Sequence, residues 1–504
     1  MSDKTEDGHA KSAAVAADTR PWLVSGVTGY MGGHLAPYLL DQGIPVRAMA
    51  RTPAKMEGVR WPERWPHCEI VQGDVLKPET LVGKFDGVRV AFYLIHAMCA
   101  SKNYLQLEID GARNFAEAAA DAGVERVFYI GGLVPDGAET QHILAREAIG
   151  DTLREGKVPA TEIRAGIIVG PGSAAFEVMR DTIFHLPFLV SPPYVDRISP
   201  PIALENICKY AMELAVMPEA ADEIFDVAGP EVMTYADQMR IMAEVGGIKP
   251  RKILRVPFLT ENMAAVFLPL VSAVPSSIAG ALIEGMRQNF TADDTRIREL
   301  VPQRLLNFRE ATEAVYEEER NQPVYTRWVD GGFVFRDRNH HNAYYGKQAT
   351  GSYWTSASPE SVWRIMTRVG GDNRYFYLNI LWTIREWIDW MFGGPGRTRS
   401  RRDPNVIELG DAIDSWQVVA MEPGERFTLR FGMKAPGAGV LEFAAVPEEG
   451  GTRVHATATW HPAGVWGLLY WHAMYLPHLV LFKGLTRKIG EQAEALEAQE
   501  ALDV

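Results

Sequence analysis

From Trp22 to about Val227 the chain alternates short apolar runs with longer stretches of helical periodicity. The apolar runs are Trp22–Ser25, Val46–Ala50, Glu69–Gln72, Val90–Ile95, Arg126–Ile130, Ala160–Ile163 and Glu223–Val227. Between them, residues 34–42, 105–122 and 142–155 repeat apolar positions every three to four residues. Strand–helix alternation of this kind predicts a doubly wound α/β fold with a parallel sheet. Residues 228–320 read as helical additions to that sheet. From Gly351 the pattern changes. A strand over 352–356 leads into Ser358-Pro359-Glu360, a helix-start signal, and a short helix over 361–369. Alternating runs at 414–421, 426–433, 439–446 and 452–460 follow. Turn signals such as Glu422-Pro423-Gly424 separate them, which predicts an antiparallel meander. A helix over about 467–499 closes the pattern. This order suits an α+β unit in which a curved sheet wraps one long helix and leaves a cavity between.

The 504 residues carry a formal charge of −13. The charge is uneven: residues 325–504 have a net of −1 and residues 1–324 a net of −12. Ten of the 13 tryptophans lie after residue 325. Two parts of different character are therefore expected, 21–324 and 325–504, behind a polar tail at 1–20 that lacks the apolar core of a signal peptide. The acidic balance argues against nucleic-acid binding. Cys68, Cys99 and Cys208 are too few and too scattered for a disulfide framework or a zinc site, so a reducing, cytoplasmic setting is expected. The run Met263–Ile283 holds Pro269 and Pro275 and reads as a buried, Pro-broken helical pair. Val465–Phe482 is interrupted by His472, Pro477 and His478 and reads as a buried or interfacial helix. Neither predicts a transmembrane span.

The strongest local motif is Ser25-Gly26-Val27-Thr28-Gly29-Tyr30-Met31-Gly32-Gly33, which follows an apolar strand and opens an amphipathic helix. Glycine permits the tight turn and lets backbone N–H groups reach a pyrophosphate at the helix N-terminus. A structural strand-to-helix turn is the plain alternative. The spacing Gly26, Gly29, Gly32 differs from the G-x-G-x-x-G dinucleotide form. Arg51 follows the second strand where NAD sites usually place an acid, so NADP(H) is favoured over NAD(H). Asp74-Val75 follows the third strand, beside the expected adenine. Leu94 and His96 follow the fourth, beside the expected nicotinamide path.

These residues resemble the extended and atypical short-chain dehydrogenase/reductases, and most closely the atypical group of NmrA-like proteins and the NAD(P)H-binding accessory subunit of respiratory complex I. Residues 161–170, 172–180 and 201–203 resemble a bacterial two-domain family in which such a domain carries a C-terminal domain of unknown function. Asp414-Ser415-Trp416 and residues 432–437 resemble that C-terminal domain, whose pattern is also similar to the START-like (SRPBCC) helix-grip superfamily. The resemblance implies NAD(P) binding, oxidoreductase activity and an enclosed apolar ligand. The sequence departs from it where chemistry is expected. The fifth strand ends Gly131-Gly132-Leu133 without a hydroxyl. His142 and Arg146 stand at the spacing of the family's Tyr-x-x-x-Lys pair. His142 is thus the proton-transfer candidate and Arg146 the ribose or phosphate holder; the alternative is that both only position the cofactor.

In the C-terminal part, Trp382, Trp387, Trp390 and Trp471 are candidates for lining a hydrophobic pocket, and Lys434 or Asp414 for its polar group. The aromatic set reads equally as core. His340-His341 carries no metal-ligand spacing. Arg397–Arg402 reads as a solvated loop or as a contact for an anionic membrane surface. Three functions stay open: an oxidoreductase acting on a quinone-, lipid- or polyketide-like substrate, a non-catalytic NADP(H) redox sensor or assembly protein, and a membrane-surface lipid-transfer protein.

Overall fold

The structure is a computed structural model. It describes residues 18–502 apart from 52, 54–60, 97–103, 136, 138–139, 258–262, 264–266, 269, 273–281, 322–345, 372–373, 392–400, 402 and 404. The polar tail before Asp18, Cys99, Trp328, His340-His341 and most of the basic loop and of Met263–Ile283 lie outside the described residues. The chain forms two compact units, Met1–Ile183 with Phe188–Trp328, and Phe184–Pro187 with Val329–Val504.

The first unit is built on strands β1 (Trp22–Ser25), β2 (Val46–Ala50), β3 (Cys68–Gln72), β4 (Val90–Tyr93), β5 (Arg126–Gly132), β6 (Ala160–Ala165) and β10 (Ile224–Val227). They make one parallel Rossmann-like sheet in the order β10-β6-β5-β4-β1-β2-β3. The order reverses between β1 and β4, where an open α/β sheet offers a crevice at its carboxyl edge. Both faces are covered. Trp22 and Val24 point into one cluster with Leu35 and Leu39 of helix α1 (Tyr30–Asp41). Leu23 points into the opposite cluster, with Phe115 of α2 (Tyr104–Asp121) and Ile149 of α3 (Gln141–Arg154). A strand buried on both faces reads as a continuous apolar run, which is how these runs appear in the chain. Helices α4 (Ala174–His185), α5 (Leu204–Leu214), α6 (Tyr235–Val245), α7 (Thr295–Leu300) and α8 (Phe308–Asn321) follow. Short strands β7 (Ile167–Val169) with β9 (Pro201–Ala203), and β8 (Leu189–Ser191) with β11 (Ile253–Arg255), form two small parallel pairs. Helix α1 starts at Tyr30, four residues before the expected start, because the glycine turn runs directly into it.

The second unit has one antiparallel sheet, in the order β12-β17-β16-β15-β14-β13. Its strands are β12 (Lys347–Thr355), β13 (Ala412–Ile413), β14 (Trp416–Glu422), β15 (Arg426–Phe431), β16 (Gly437–Glu448) and β17 (Gly451–Pro462). Helices α9 (Pro359–Met366) and α10 (Asn379–Met391) come between β12 and β13. Ser358 caps α9: its hydroxyl accepts the Ser361 N–H. Helix α11 (Gly464–Leu502) packs on β12 and β17. It passes through Pro477, and the run Val465–Phe482 lies within it as the expected helix. No helix among the described residues is long and apolar enough to cross a membrane.

Candidate functional site

The β1–α1 turn lies at the switch point. The buried Ser25 hydroxyl donates to the Phe92 carbonyl (2.8 Å) and accepts the Leu94 N–H (3.1 Å), locking the end of β1 to the end of β4. Gly26 has φ +64°, and a Cβ there would stand 2.3 Å from the Leu94 carbonyl oxygen. A Cβ on Gly32 would stand 2.4 Å from the Gly26 carbonyl oxygen. The turn is therefore wedged between strand and helix with no room for side chains. Gly29 N–H closes it on Gly26 O (2.8 Å). Helix α1 has no side-chain cap and no acid in its first turn, so its leading N–H groups and dipole suit an anion. Thr28, Gly29, Tyr30 and Met31 are half-buried around this turn.

Arg51 is exposed at the end of β2, makes no ion pair among the described residues, and accepts the Gln72 side-chain amide on its carbonyl (3.2 Å). Asp74 sits in a local turn: its Oδ1 accepts the Leu76 N–H (3.1 Å) and its own N–H donates to Thr80 Oγ1 (2.9 Å). Val75 and Leu94 turn their side chains into the core, leaving only backbone for a ligand.

The ends of β4 and β5 bring His96, His142 and Arg146 together. The His96 ring lies edge-on to Tyr129, 6.2 Å between centroids. Tyr129 is buried, stays protonated because burial drives its pKa far up, and donates to the Arg146 carbonyl (3.3 Å). A Cβ on Gly132 would come within 2.9 Å of Arg146 Nη1. The missing side chain on β5 is what lets the guanidinium lie over the strand end. Arg146 Nε is buried without a hydrogen-bond acceptor, and the group makes no ion pair among the described residues. Burial, then the Arg146 charge, pushes His142 down to about 3. Burial, then Arg146 and His142, holds His96 well below its ordinary value. Both imidazoles are neutral at pH 7 beside one unmatched cation. Ser25 stands at the head of the glycine motif, but its lock on β4 shows only in the fold, and nothing in the sequence marks Tyr129.

The second unit contains an aromatic cavity. Trp382 and Trp471 line it, with Trp416, Phe431, Trp460 and Tyr470. Trp416 and Phe431 are cross-strand partners, edge-on at 5.3 Å. Trp387 and Trp390 lie outside the cavity lining, about half exposed and edge-on to each other at 5.6 Å. The charged or titratable side chains at the cavity are Arg385 and His478, with Thr459 also in the lining. Lys434 is exposed, and Asp414 accepts from the Tyr375 hydroxyl (3.2 Å).

Residues 26–165 match the family described as NAD(P)H-binding. The first unit thus carries an NAD(P)H-binding domain, and the glycine turn lies at the start of the matched stretch. Residues 343–485 match a family described as a protein of unknown function, DUF2867. Cinnamoyl-CoA reductase 1 of Oryza sativa subsp. japonica is 32% identical over 114 residues, 21% of this chain and 32% of that protein. The matched stretch therefore spans about a third of that relative. The photosystem II assembly factor Ycf39 of Cyanophora paradoxa is 22% identical over 247 residues, 48% of this chain and 73% of that protein. A solved structure, Citrobacter sp. triphenylmethane reductase complexed with NADP(H), aligns with TM-score 0.47 and 20% identity over 58% of this chain and 99% of its own.

Proposed function

We propose that the chain is an NADP(H)-dependent oxidoreductase of the atypical short-chain type acting on a hydrophobic acceptor, quinone-, lipid- or polyketide-like. The observation that carries this reading is the unmatched Arg146 guanidinium over the end of β5, next to a turn that only glycine can occupy. These residues fit a dinucleotide: the α1 N-terminus faces a diphosphate, and the exposed Arg51, with no acid beside it, suits a 2′-phosphate. The bound cofactor supplies a hydride. Arg146 stays charged and either holds a ribose or phosphate oxygen or stabilises negative charge developing on the acceptor. His142, neutral at pH 7, exchanges a hydrogen bond with that oxygen and does not act as an imidazolium acid. The C-terminal unit, read as a START-like helix grip, holds the apolar ligand. The setting is cytoplasmic and reducing; the exposed apolar residues of α10, Ile380, Ile384 and Ile388 among them, suit peripheral contact with the inner face of a membrane.

A second reading is a non-catalytic NADP(H) sensor or assembly protein. It is favoured by the lack of a hydroxyl at the end of β5 and of any group titrating near pH 7 among His96 and His142. Oxidation of NADPH by a panel of quinones, compared with His142→Phe, separates the two. Turnover that drops in the variant supports the enzyme; no turnover with any acceptor, despite NADPH binding, supports the sensor.

A further inference from the structure

The cavity of the second unit is apolar in its walls and one-sided in its polar chemistry. Its space is about 430 Å³ counting the open mouth. The enclosed part is small and takes a slim chain or the edge of one ring. Arg385 projects from α10 with its guanidinium 4.7 Å from the Phe431 ring centroid and 5.6 Å from that of Tyr470. Its Nε is buried without an acceptor, and it makes no ion pair among the described residues. Neighbouring carboxylates are engaged elsewhere or turned aside. Glu386 pairs with Arg374 at 3.2 Å. Asp389, one turn on, accepts the Lys434 N–H on Oδ1 at 2.6 Å; its Oδ2 is buried without a partner, but it makes no ion pair with Arg385 and does not line the cavity.

Three more nitrogens at the cavity lack partners. Trp416 Nε1 and Trp460 Nε1 are buried donors with no acceptor, and His478 Nδ1 is buried with no partner of either kind. The His478 ring stacks on Phe482 at 5.2 Å, and burial together with the Arg385 charge lowers its pKa to about 4. Donors thus outnumber acceptors, and one carries a full positive charge. A buried donor left unmatched is costly, so such a set fits a ligand that brings oxygen acceptors and negative charge.

We propose that this cavity binds a small apolar molecule bearing one carboxylate, with the carboxylate on Arg385 and Trp460 and the apolar part among Trp382, Trp416, Phe431 and Trp471. The planar guanidinium fork matches a carboxylate, while the aromatic walls take the remainder. The inference deepens the reading of the second unit as the ligand holder and rests on it, but not on any activity of the first unit.

The test is calorimetric titration of the full chain with hexanoate, hexan-1-ol and hexylamine at pH 7. The acid is expected to bind at least tenfold more tightly than the alcohol, and the amine not at all. Arg385→Gln removes the preference, Arg385→Lys retains part of it, and Trp387→Ala leaves it unchanged. Asp389→Asn separates a structural role: if Arg385 serves Asp389 alone, neither variant alters the preference. Equal binding of acid and alcohol, or an acid preference surviving in Arg385→Gln, overturns the proposal. NADPH titration of the same samples is the internal reference. A protein that binds NADPH but not the acid loses this proposal alone; one that binds the acid but not NADPH loses the oxidoreductase reading alone.

Discussion

Replacing Gly26 with alanine tests the nucleotide loop through two separable costs. The first is conformational: at φ +64° an L-residue pays about 1–2 kcal/mol. The second is steric: the new Cβ would meet the Leu94 carbonyl oxygen at 2.3 Å and its carbon at 2.8 Å, both backbone. The Ser25 hydroxyl bonds to the Phe92 carbonyl and the Leu94 N–H, just ahead of these atoms, hold the strand end in place. Overpacking of this kind costs about 1–3 kcal/mol. The sum is on the order of 2–5 kcal/mol, which lowers Tm by roughly 3–7 °C for a unit of this size. Gly43 is the control. Its φ is +79°, but a Cβ there meets nothing within 4 Å. Gly43→Ala therefore pays the conformational cost alone, a Tm drop of about 1–3 °C. Thermal unfolding and NADPH titration of both variants are the assays. Gly26→Ala is expected to unfold well below Gly43→Ala and to lose at least tenfold in NADPH affinity, with Gly43→Ala binding as wild type. Equal Tm values, with NADPH affinity kept in Gly26→Ala, would refute the wedged turn.

Four further outcomes are expected. Arg146→Gln weakens NADPH binding by about tenfold or more without lowering Tm, since the guanidinium has no partner to lose; titration and thermal unfolding read this out. Arg51→Ala lowers the NADPH-over-NADH affinity ratio several-fold, measured by parallel titrations. The His142 pKa is lower in the folded than in the unfolded chain, so its stabilisation is present above about pH 6.5 and is lost as pH falls toward 3. Between pH 6.5 and 5 this amounts to about 2 kcal/mol at ~1.4 kcal/mol per pH unit, and urea unfolding should show His142→Phe losing less stability than wild type over that interval. Trp382→Ala removes a buried ring stacked on Tyr375 at 4.3 Å and should destabilise the second unit by about 3–5 kcal/mol in the same assay.

The parallel sheet was legible because its strands are buried on both faces and its helices on one, so the two periodicities stand apart along the chain. The glycine turn was legible because no other residue type meets its geometry. The pairs β7–β9 and β8–β11 were not, since three residues such as Ile167–Val169 show no period. The cavity was only half legible. Trp382, Arg385 and Asp389 are spaced three and four apart and share one side of α10, while Trp387 and Trp390 fall outside it. Composition marks all of these tryptophans alike; which side faces the sheet depends on packing. Likewise the helix over 467–499 was legible, but which of its residues, Trp471, His478 and Phe482 among them, face the cavity depends on how α11 packs on the sheet. That is why Arg385 and His478 were passed over for Lys434 and Asp414. At the nucleotide end, His142 and Arg146 were legible from spacing. The partnerless state of Arg146 depends on the empty space above Gly132, which spacing does not reveal.

Calorimetric titration of the full chain with NADPH and with NADH tests the central claim most directly. The account predicts saturable one-to-one binding, NADPH tighter than NADH, and both weakened by Arg146→Gln. No heat and no thermal shift with either nucleotide, or binding indifferent to Arg146, would contradict it.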